Sequence, residues 1–286
     1  MTKVAWLGTG LMGAPMVRHL AGHFDLHVWN RNSKRAGQLA DIARVAESPA
    51  EAADGADVVI SMLLDGPVTE SVLAGEGAIA SAAPGAVVID MGSVEPACDR
   101  RLAAMAKDLG KRFVDAPVSG GVVGAEAATL SIFAGGDEAD FKAAYPILSR
   151  LGRPTHMGAV GTGQVAKLAN QLIVAITIGA VAEALHFAEN ADCDPAVLRG
   201  ALMGGFADSR ILNLHGARMV ERNFVPGGRS AAQLKDLRNA LDVAAETGTA
   251  LPLGVTATAG FADLVENKGG ADLDHAAYYL WLKGGA

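Results

Sequence analysis

The feature that most constrains this sequence lies at its start. The apolar run at residues 4–7 leads directly into Gly8-Thr9-Gly10-Leu11-Met12-Gly13, and a helix-length stretch at 11–22 follows. A GxGxxG is weak alone and informative between a strand and a helix. The first glycine permits a tight turn, the second admits backbone N–H groups to a pyrophosphate, and the third lets helix and strand pack closely. The positive end of the helix dipole then faces the phosphates. The competing reading is a glycine turn in an α/β domain that binds nothing.

Further apolar, β-branched runs occur at 26–29, 58–63, 87–90, 113–118 and 130–134, several of them separated by helix-length stretches such as 98–109. Most are too continuous for a half-solvated strand, so they predict a mostly parallel sheet covered on both faces. After Gly163 the character changes. Residues 165–182 carry one charge, Lys167, and helix-forming sequence continues to about Asn190. That length would cross a membrane, but Lys167, Asn170, Gln171, Thr177 and Gly179 suit lipid poorly, and neither a second span nor a basic flank follows. A helix buried in protein is the expectation. From Asp194 onward only helical stretches such as 231–247 and 252–267 are visible. The expected architecture is α/β: a Rossmann-type parallel-sheet domain over 1–162, a long interdomain helix over 163–191 and an all-α domain over 192–286.

Composition sharpens this. Glycine accounts for 35 of 286 residues, against an average near 7%, without a Gly-X-Y period. Such a chain must turn sharply, or approach something closely, in many places. Gly204, Gly205, Gly227 and Gly228 read as ordinary helix stops. A net charge of −7 gives no footprint for nucleic acid or an anionic membrane. Cys98 and Cys193 lack metal-ligand spacing, so neither a zinc site nor a disulfide scaffold is expected. The opening MTKVAWLG has no leader-like pattern, which predicts a cytoplasmic protein.

Three further segments carry chemistry. Asn30-Arg31-Asn32 closes the second apolar run, at the place where NAD enzymes usually hold an acidic residue against the ribose hydroxyls. An Asn followed by Arg, whose guanidinium can pair a 2′-phosphate, predicts NADP with NAD still possible; the plain alternative is an exposed loop arginine. Asp115-Ala116-Pro117-Val118-Ser119-Gly120-Gly121 fits both a carboxylate-binding nest and an ordinary turn. Lys167 has Asn170 and Gln171 on the same helical face. A lysine in so apolar a stretch snorkels outward or sits in a cleft where desolvation lowers its pKa, and the glycine-rich 158–163 preceding it favours the cleft.

With these motifs the chain resembles the beta-hydroxyacid dehydrogenase family, in the branch containing 3-hydroxyisobutyrate dehydrogenase and tartronate semialdehyde reductase. GTGLMGAPM, SMLLD at 61–65, DAPVSGG at 115–121, GTGQVAKLANQ at 161–171, KDL at 235–237 and LPL at 251–253 carry the resemblance along the whole chain. It implies that Lys167 is catalytic and that Ser119, Gly120 and Gly121 hold a substrate carboxylate. Leu63, Leu64 and Val68 would line the adenosine side, Ser93 the nicotinamide ribose, and Lys235 would reach the cofactor. Gln171 stands where many relatives have Asn, with Asn170 before it, so either amide could orient the substrate. KLANQ and RNFVPGGR at 222–229 resemble the tartronate semialdehyde reductase branch. The implied activity is NADP-dependent interconversion of a short 3-hydroxy acid and its semialdehyde, in a homodimer or homotetramer. Succinic semialdehyde or another aldehyde or imine as substrate is the alternative, and a non-catalytic dinucleotide-binding protein is the other. Phe206, Ser209, Arg210 and Arg229 fit either a pocket or a subunit contact.

Overall fold

The continuous apolar runs become strands of a single sheet. A computed structural model describes residues 1–284, and the chain divides into two units, Met1–Lys167 and Leu168–Ala286. The first unit holds β1 (Lys3–Leu7), β2 (Asp25–Trp29), β3 (Arg44–Val45), β4 (Val58–Ser61), β5 (Val87–Asp90), β6 (Arg112–Asp115), β7 (Val118–Ser119), β8 (Leu130–Gly135) and β9 (Gly152–Gly158). Their order is β3-β2-β1-β4-β5-β6-β8-β7, with β9 beside β8. Pairings from β3 through β6 are parallel, while β8 runs antiparallel to β6 and β7. This is a Rossmann sheet.

Alternate strand residues feed two separate apolar clusters, as the period of two requires. Trp6, Ile60 and Ile89 belong to one with Met16. Leu7, Val59 and Val88 belong to the other with Phe113. Both faces of the sheet are therefore covered. The run at 113–118 does not form one strand: it breaks at Ala116-Pro117 between β6 and β7, where proline has no N–H to donate. Two strands carry no apolar run to announce them. β3 has two residues, and β9 is mostly exposed or half-buried along its length.

In the second unit the helix Thr162–Asn190 continues from Leu168 and is followed by Pro195–Leu202, Arg210–Glu221, Ser230–Thr247 and Pro252–Glu266. Ile178, Leu185, Leu237, Phe261 and Tyr279 form its core. Proline begins two of these helices, where its missing N–H costs nothing. The Ser209 hydroxyl accepts the Leu212 N–H at 2.9 Å and caps Arg210–Glu221. Arg229 pairs with Asp272 at 3.0 Å. The long helix is covered less than its composition led us to expect, since 28% of its apolar window is buried. Ala175, Ile178 and Ala182 are buried, whereas Ile173 and Phe187 are 67% and 74% exposed. Apolar residues run all round this helix, and its own chain covers part of that surface.

The long helix starts in a crowded corner of the first unit. A Cβ on Gly163 would fall inside the Phe133 carbonyl oxygen and 2.7 Å from Asp115 Oδ2. Gly163→Ala is expected to cost about 3 kcal/mol or more, because backbone must shift to admit the methyl. Gly37, in the helix Ser33–Gly37, has open space around it and ordinary φ; Gly37→Ala should be neutral or stabilising by up to about 1 kcal/mol. Urea unfolding of the two variants checks both, and equal stabilities would contradict the crowding.

Candidate active site

The glycine loop after β1 is held from three directions. Gly8 N–H donates to the Trp29 carbonyl at 2.9 Å, the Trp6 indole N–H donates to the Gly8 carbonyl at 3.0 Å, and Thr9 N–H donates to Asn30 Oδ1 at 3.0 Å. A side chain at Gly8 or Gly13 would strike loop backbone. Gly10 differs, since a Cβ there would meet only Arg35 Nη1, at 4.0 Å. Packing within the chain does not demand glycine at 10. No side chain caps the helix Gly13–Leu20 at Met12. In its first turn Ala14 N–H donates to the Gly10 carbonyl at 3.0 Å and Pro15 has no N–H, so anion donors at this end come from the loop and Gly13 rather than from the whole first turn. Arg31 and Arg35 stand on exposed positions beside this loop, and the loop suits a dinucleotide pyrophosphate. Asn30 sits in the second-strand position but works as a brace, accepting from Thr9 and donating to the Asn32 carbonyl at 3.0 Å. Arg35 is a residue the sequence reading missed; its spacing from Arg31, one helical turn, was the available signal.

Leu63, Leu64 and Val68 follow β4, where Asp65 caps the helix Gly66–Glu70 through the Val68 N–H at 3.0 Å. Ser93 follows β5 and is half-buried. The ends of β5 and β6 carry the carboxyls of Asp90 and Asp115, and the helix Pro96–Asp108 adds that of Asp99. Asp90, Asp99 and Asp115 are each fully buried. Asp115 accepts from Gly161 N–H at 2.8 Å and Gln164 N–H at 2.9 Å, which anchors the start of the long helix, three residues before Lys167. Burial raises its carboxyl, against the lowering effect of those amides. Asp90 accepts from the Ser61 hydroxyl at 2.6 Å and Gly92 N–H at 3.2 Å. Burial pushes it up to about 6, against the lowering effect of the Ser61 and Gly92 hydrogen bonds. Burial first, and then the charges of Asp90 and Asp115, lift Asp99 well above the usual carboxylate range. Gln164 completes the cluster, with Nε2 2.9 Å from the Gly92 carbonyl and 2.8 Å from Asp99 Oδ2.

Ser119 ends β7 opposite Ser131. Gly120 and Gly121 follow with φ of +143° and +62°, conformations that glycine alone adopts without strain. Lys167 is half-buried in this unit.

The second unit holds the remaining candidates. Asn170 Nδ2 donates to Gln171 Oε1 at 2.9 Å, Gln171 Nε2 to Gln233 Oε1 at 3.2 Å, and Gln233 Nε2 back to the Gln171 carbonyl at 3.1 Å. His275 lies 3.4 Å from Gln233 Oε1 and 3.2 Å from His215 Nε2, and His215 Nδ1 lies 3.3 Å from Asp274 Oδ1. Gly227 and Gly228 are not helix stops: their N–H groups donate to Asp274 Oδ2 at 2.9 and 3.1 Å. Despite its burial, Asp274 is held well below the usual carboxylate range by His215, His275 and these amides. Although His215, Asp274 and His275 bring ligand-type atoms within 4.8 Å of one another, the carboxylate is already engaged by N–H donors. Lys235 pairs with Asp236 at 3.3 Å.

Both units match known families. Residues 3–163 match the NAD-binding domain of 6-phosphogluconate dehydrogenase, and residues 161–282 match the NAD-binding family of NADP-dependent 3-hydroxyisobutyrate dehydrogenase. The chain is 43% identical over 280 residues to 2-hydroxy-3-oxopropionate reductase from Escherichia coli, spanning 96% of this chain and 95% of that one. It is 35% identical to a probable 3-hydroxyisobutyrate dehydrogenase of Mycobacterium tuberculosis, over 99% and 98% of the two chains. A solved structure titled as the 3-hydroxyisobutyrate dehydrogenase of that organism with L-serine superposes with a TM-score of 0.90 at 34% identity, covering 99% of each chain. Rossmann sheet, glycine loop and helical second unit define an NAD(P)-dependent oxidoreductase. The chain belongs to the beta-hydroxyacid dehydrogenase family, in its 2-hydroxy-3-oxopropionate reductase or 3-hydroxyisobutyrate dehydrogenase type.

The buried carboxyl pair makes stability depend on pH. Both groups are raised on folding, so their contribution is fully present below the unfolded value of about 4. It is lost as pH rises through the folded value, near 6 for Asp90. Asp99→Asn removes one of the two raised carboxyls and leaves a side chain of the same size that does not titrate. Its Tm is expected to fall less than that of the wild type between pH 4 and pH 6 in a thermal melt series; parallel curves would remove the pair as the source.

Proposed function

We propose that the chain is an NADP-preferring reductase of a short semialdehyde that carries a carboxylate, with 2-hydroxy-3-oxopropionate as the first candidate. The observation that carries this reading is Lys167 standing in KLANQ within a chain 43% identical, over nearly its whole length, to the Escherichia coli reductase of that substrate. When bound, the nicotinamide supplies the hydride. The protein supplies orientation, charge and a proton. The glycine loop, Gly8 to Gly13 with Leu11 and Met12, takes the pyrophosphate, and Arg31, joined by Arg35, takes the 2′-phosphate, with Asn30 and Asn32 shaping that turn. Leu63, Leu64 and Val68 flank the adenosine, Ser93 the nicotinamide ribose, and Lys235 adds a further charge.

Ser119 and the amides of Gly120 and Gly121 hold the substrate carboxylate. In the reducing direction the Lys167 ammonium gives its proton to the developing alkoxide oxygen. Gln171, tied to Gln233 and Asn170, orients the carbonyl. Assigning these groups to one substrate is part of the proposal. So is a homo-oligomer, supported by the apolar exposure of Ile173 and Phe187. A cytoplasmic setting is supported by free thiols at Cys98 and Cys193.

Lys167→Ala should keep NADPH binding and lose kcat by at least about a hundredfold, the usual share of general acid catalysis; an unchanged kcat removes Lys167 from the chemistry. Arg31→Ala should raise KM for NADPH far more than for NADH, and equal losses would sink the 2′-phosphate assignment. A panel of C2, C3 and C4 aldehydes, with and without a carboxylate, assayed with both nicotinamides, tests the substrate. Highest kcat/KM on succinic semialdehyde would move the assignment to the longer acid, and no turnover at all despite NADPH binding would favour a non-catalytic protein.

A further inference from the structure

We propose that Gln164 is a positioning residue. Its amide ties the backbone on both sides of Ser93 to the helix that carries Lys167, and so sets the nicotinamide side of the cofactor site against the proton donor. The inference rests on the functional reading above and concerns a residue to which that reading gives no role.

Gln164 is fully buried. Its Nε2 donates to the Gly92 carbonyl at 2.9 Å and its Oε1 accepts the Val94 N–H at 3.2 Å. The side-chain amide thus pairs with residues 92 and 94 as a neighbouring strand's peptide would, and the residue it brackets is Ser93. Its second N–H goes to Asp99 Oδ2 at 2.8 Å. A carbonyl only accepts and a backbone N–H only donates, so the amide has one orientation. Burying an amide is unfavourable unless every polar atom is matched, and here each is.

The backbone of the same residue is fixed too. Gln164 N–H donates to Asp115 at the end of β6, while Asp90, at the end of the adjacent strand β5, holds Gly92 N–H. Helix start and Ser93 loop are therefore each pinned to a strand end, and the Gln164 side chain makes a direct hydrogen-bonded link between them. A leucine of similar volume would fill the space but leave the Gly92 carbonyl and the Val94 N–H buried without this partner.

The test uses the full-length chain with Gln164→Leu and Gln164→Glu. Binding is measured for NADPH and for 2′,5′-ADP, which keeps the adenosine and 2′-phosphate but lacks the nicotinamide half. For Gln164→Leu, NADPH should bind roughly tenfold more weakly and 2′,5′-ADP about as in the wild type. Its kcat should fall about a hundredfold, the scale for an ångström of misplacement, with a larger deuterium isotope effect from labelled nicotinamide. Gln164→Glu adds a pH signature. The neutral acid can donate to Gly92 and accept from Val94, whereas the ionised form cannot donate and adds charge beside Asp90 and Asp99. Its activity should approach the wild type at low pH and fall away more steeply as pH rises.

Equal losses for the two ligands, or a lowered Tm with kcat within about twofold of wild type, would overturn the positioning role and leave a packing one. Should Gln164→Leu fail to fold, the pH profile of Gln164→Glu decides: a profile parallel to wild type overturns the proposal. A wild type inactive on the whole aldehyde panel would defeat the functional reading, while the comparison of the two ligands would still judge Gln164.

Discussion

The rest of the first unit depends on one buried carboxylate. Asp115, at the end of β6, receives the N–H groups of Gly161 and Gln164 where the long helix begins. Hydrogen bonds to a charged acceptor contribute about 1.5–3 kcal/mol each, and a negative charge at a helix N-terminus also meets the positive end of the dipole. Room for that contact comes from glycines on both sides. A Cβ on Gly135 would collide with Asp115 Oδ1, and one on Gly163 would crowd Asp115 Oδ2. The start of the helix bearing Lys167 is fixed at this corner.

The same device recurs where no ligand is involved. Asp274 is cradled by Gly227, Gly228 and Ala276 N–H groups. Several glycines, Gly92, Gly161, Gly204, Gly227 and Gly228, thus give their N–H groups to carboxylates that belong to the protein itself.

Much of this was legible in the residues. Apolar runs announced β1, β2, β4, β5 and β8, and the glycine motif, set between a run and a helix, announced the dinucleotide site. Periodicity could not announce β9, whose GRPTHMG has no apolar run. Nor could it announce the carboxyl cluster. Asp99 lies in CDRR, which reads like a solvated helix face, and Gln164 looks like an ordinary polar residue near a helix start. The side-chain partners of Gln164, Asp99 among them, stand 65 to 72 positions away in sequence, a distance at which local pattern says nothing. The resemblance to a family reached the residues expected to touch ligand, whereas residues that hold those in place emerged only from geometry.

Asn30 connects cofactor choice to architecture. Its oxygen accepts from Thr9 in the glycine loop and its amide donates to the Asn32 carbonyl, so one side chain joins the glycine loop to the turn after β2. An aspartate there, the residue that favours NAD, could keep the first bond but would set a carboxylate oxygen against the Asn32 carbonyl. Arg31 and Arg35, both exposed, carry no such obligation. A change from Asn to Asp at position 30 must therefore be accompanied by a reshaped turn, so the identity of this one side chain is tied to the backbone around it.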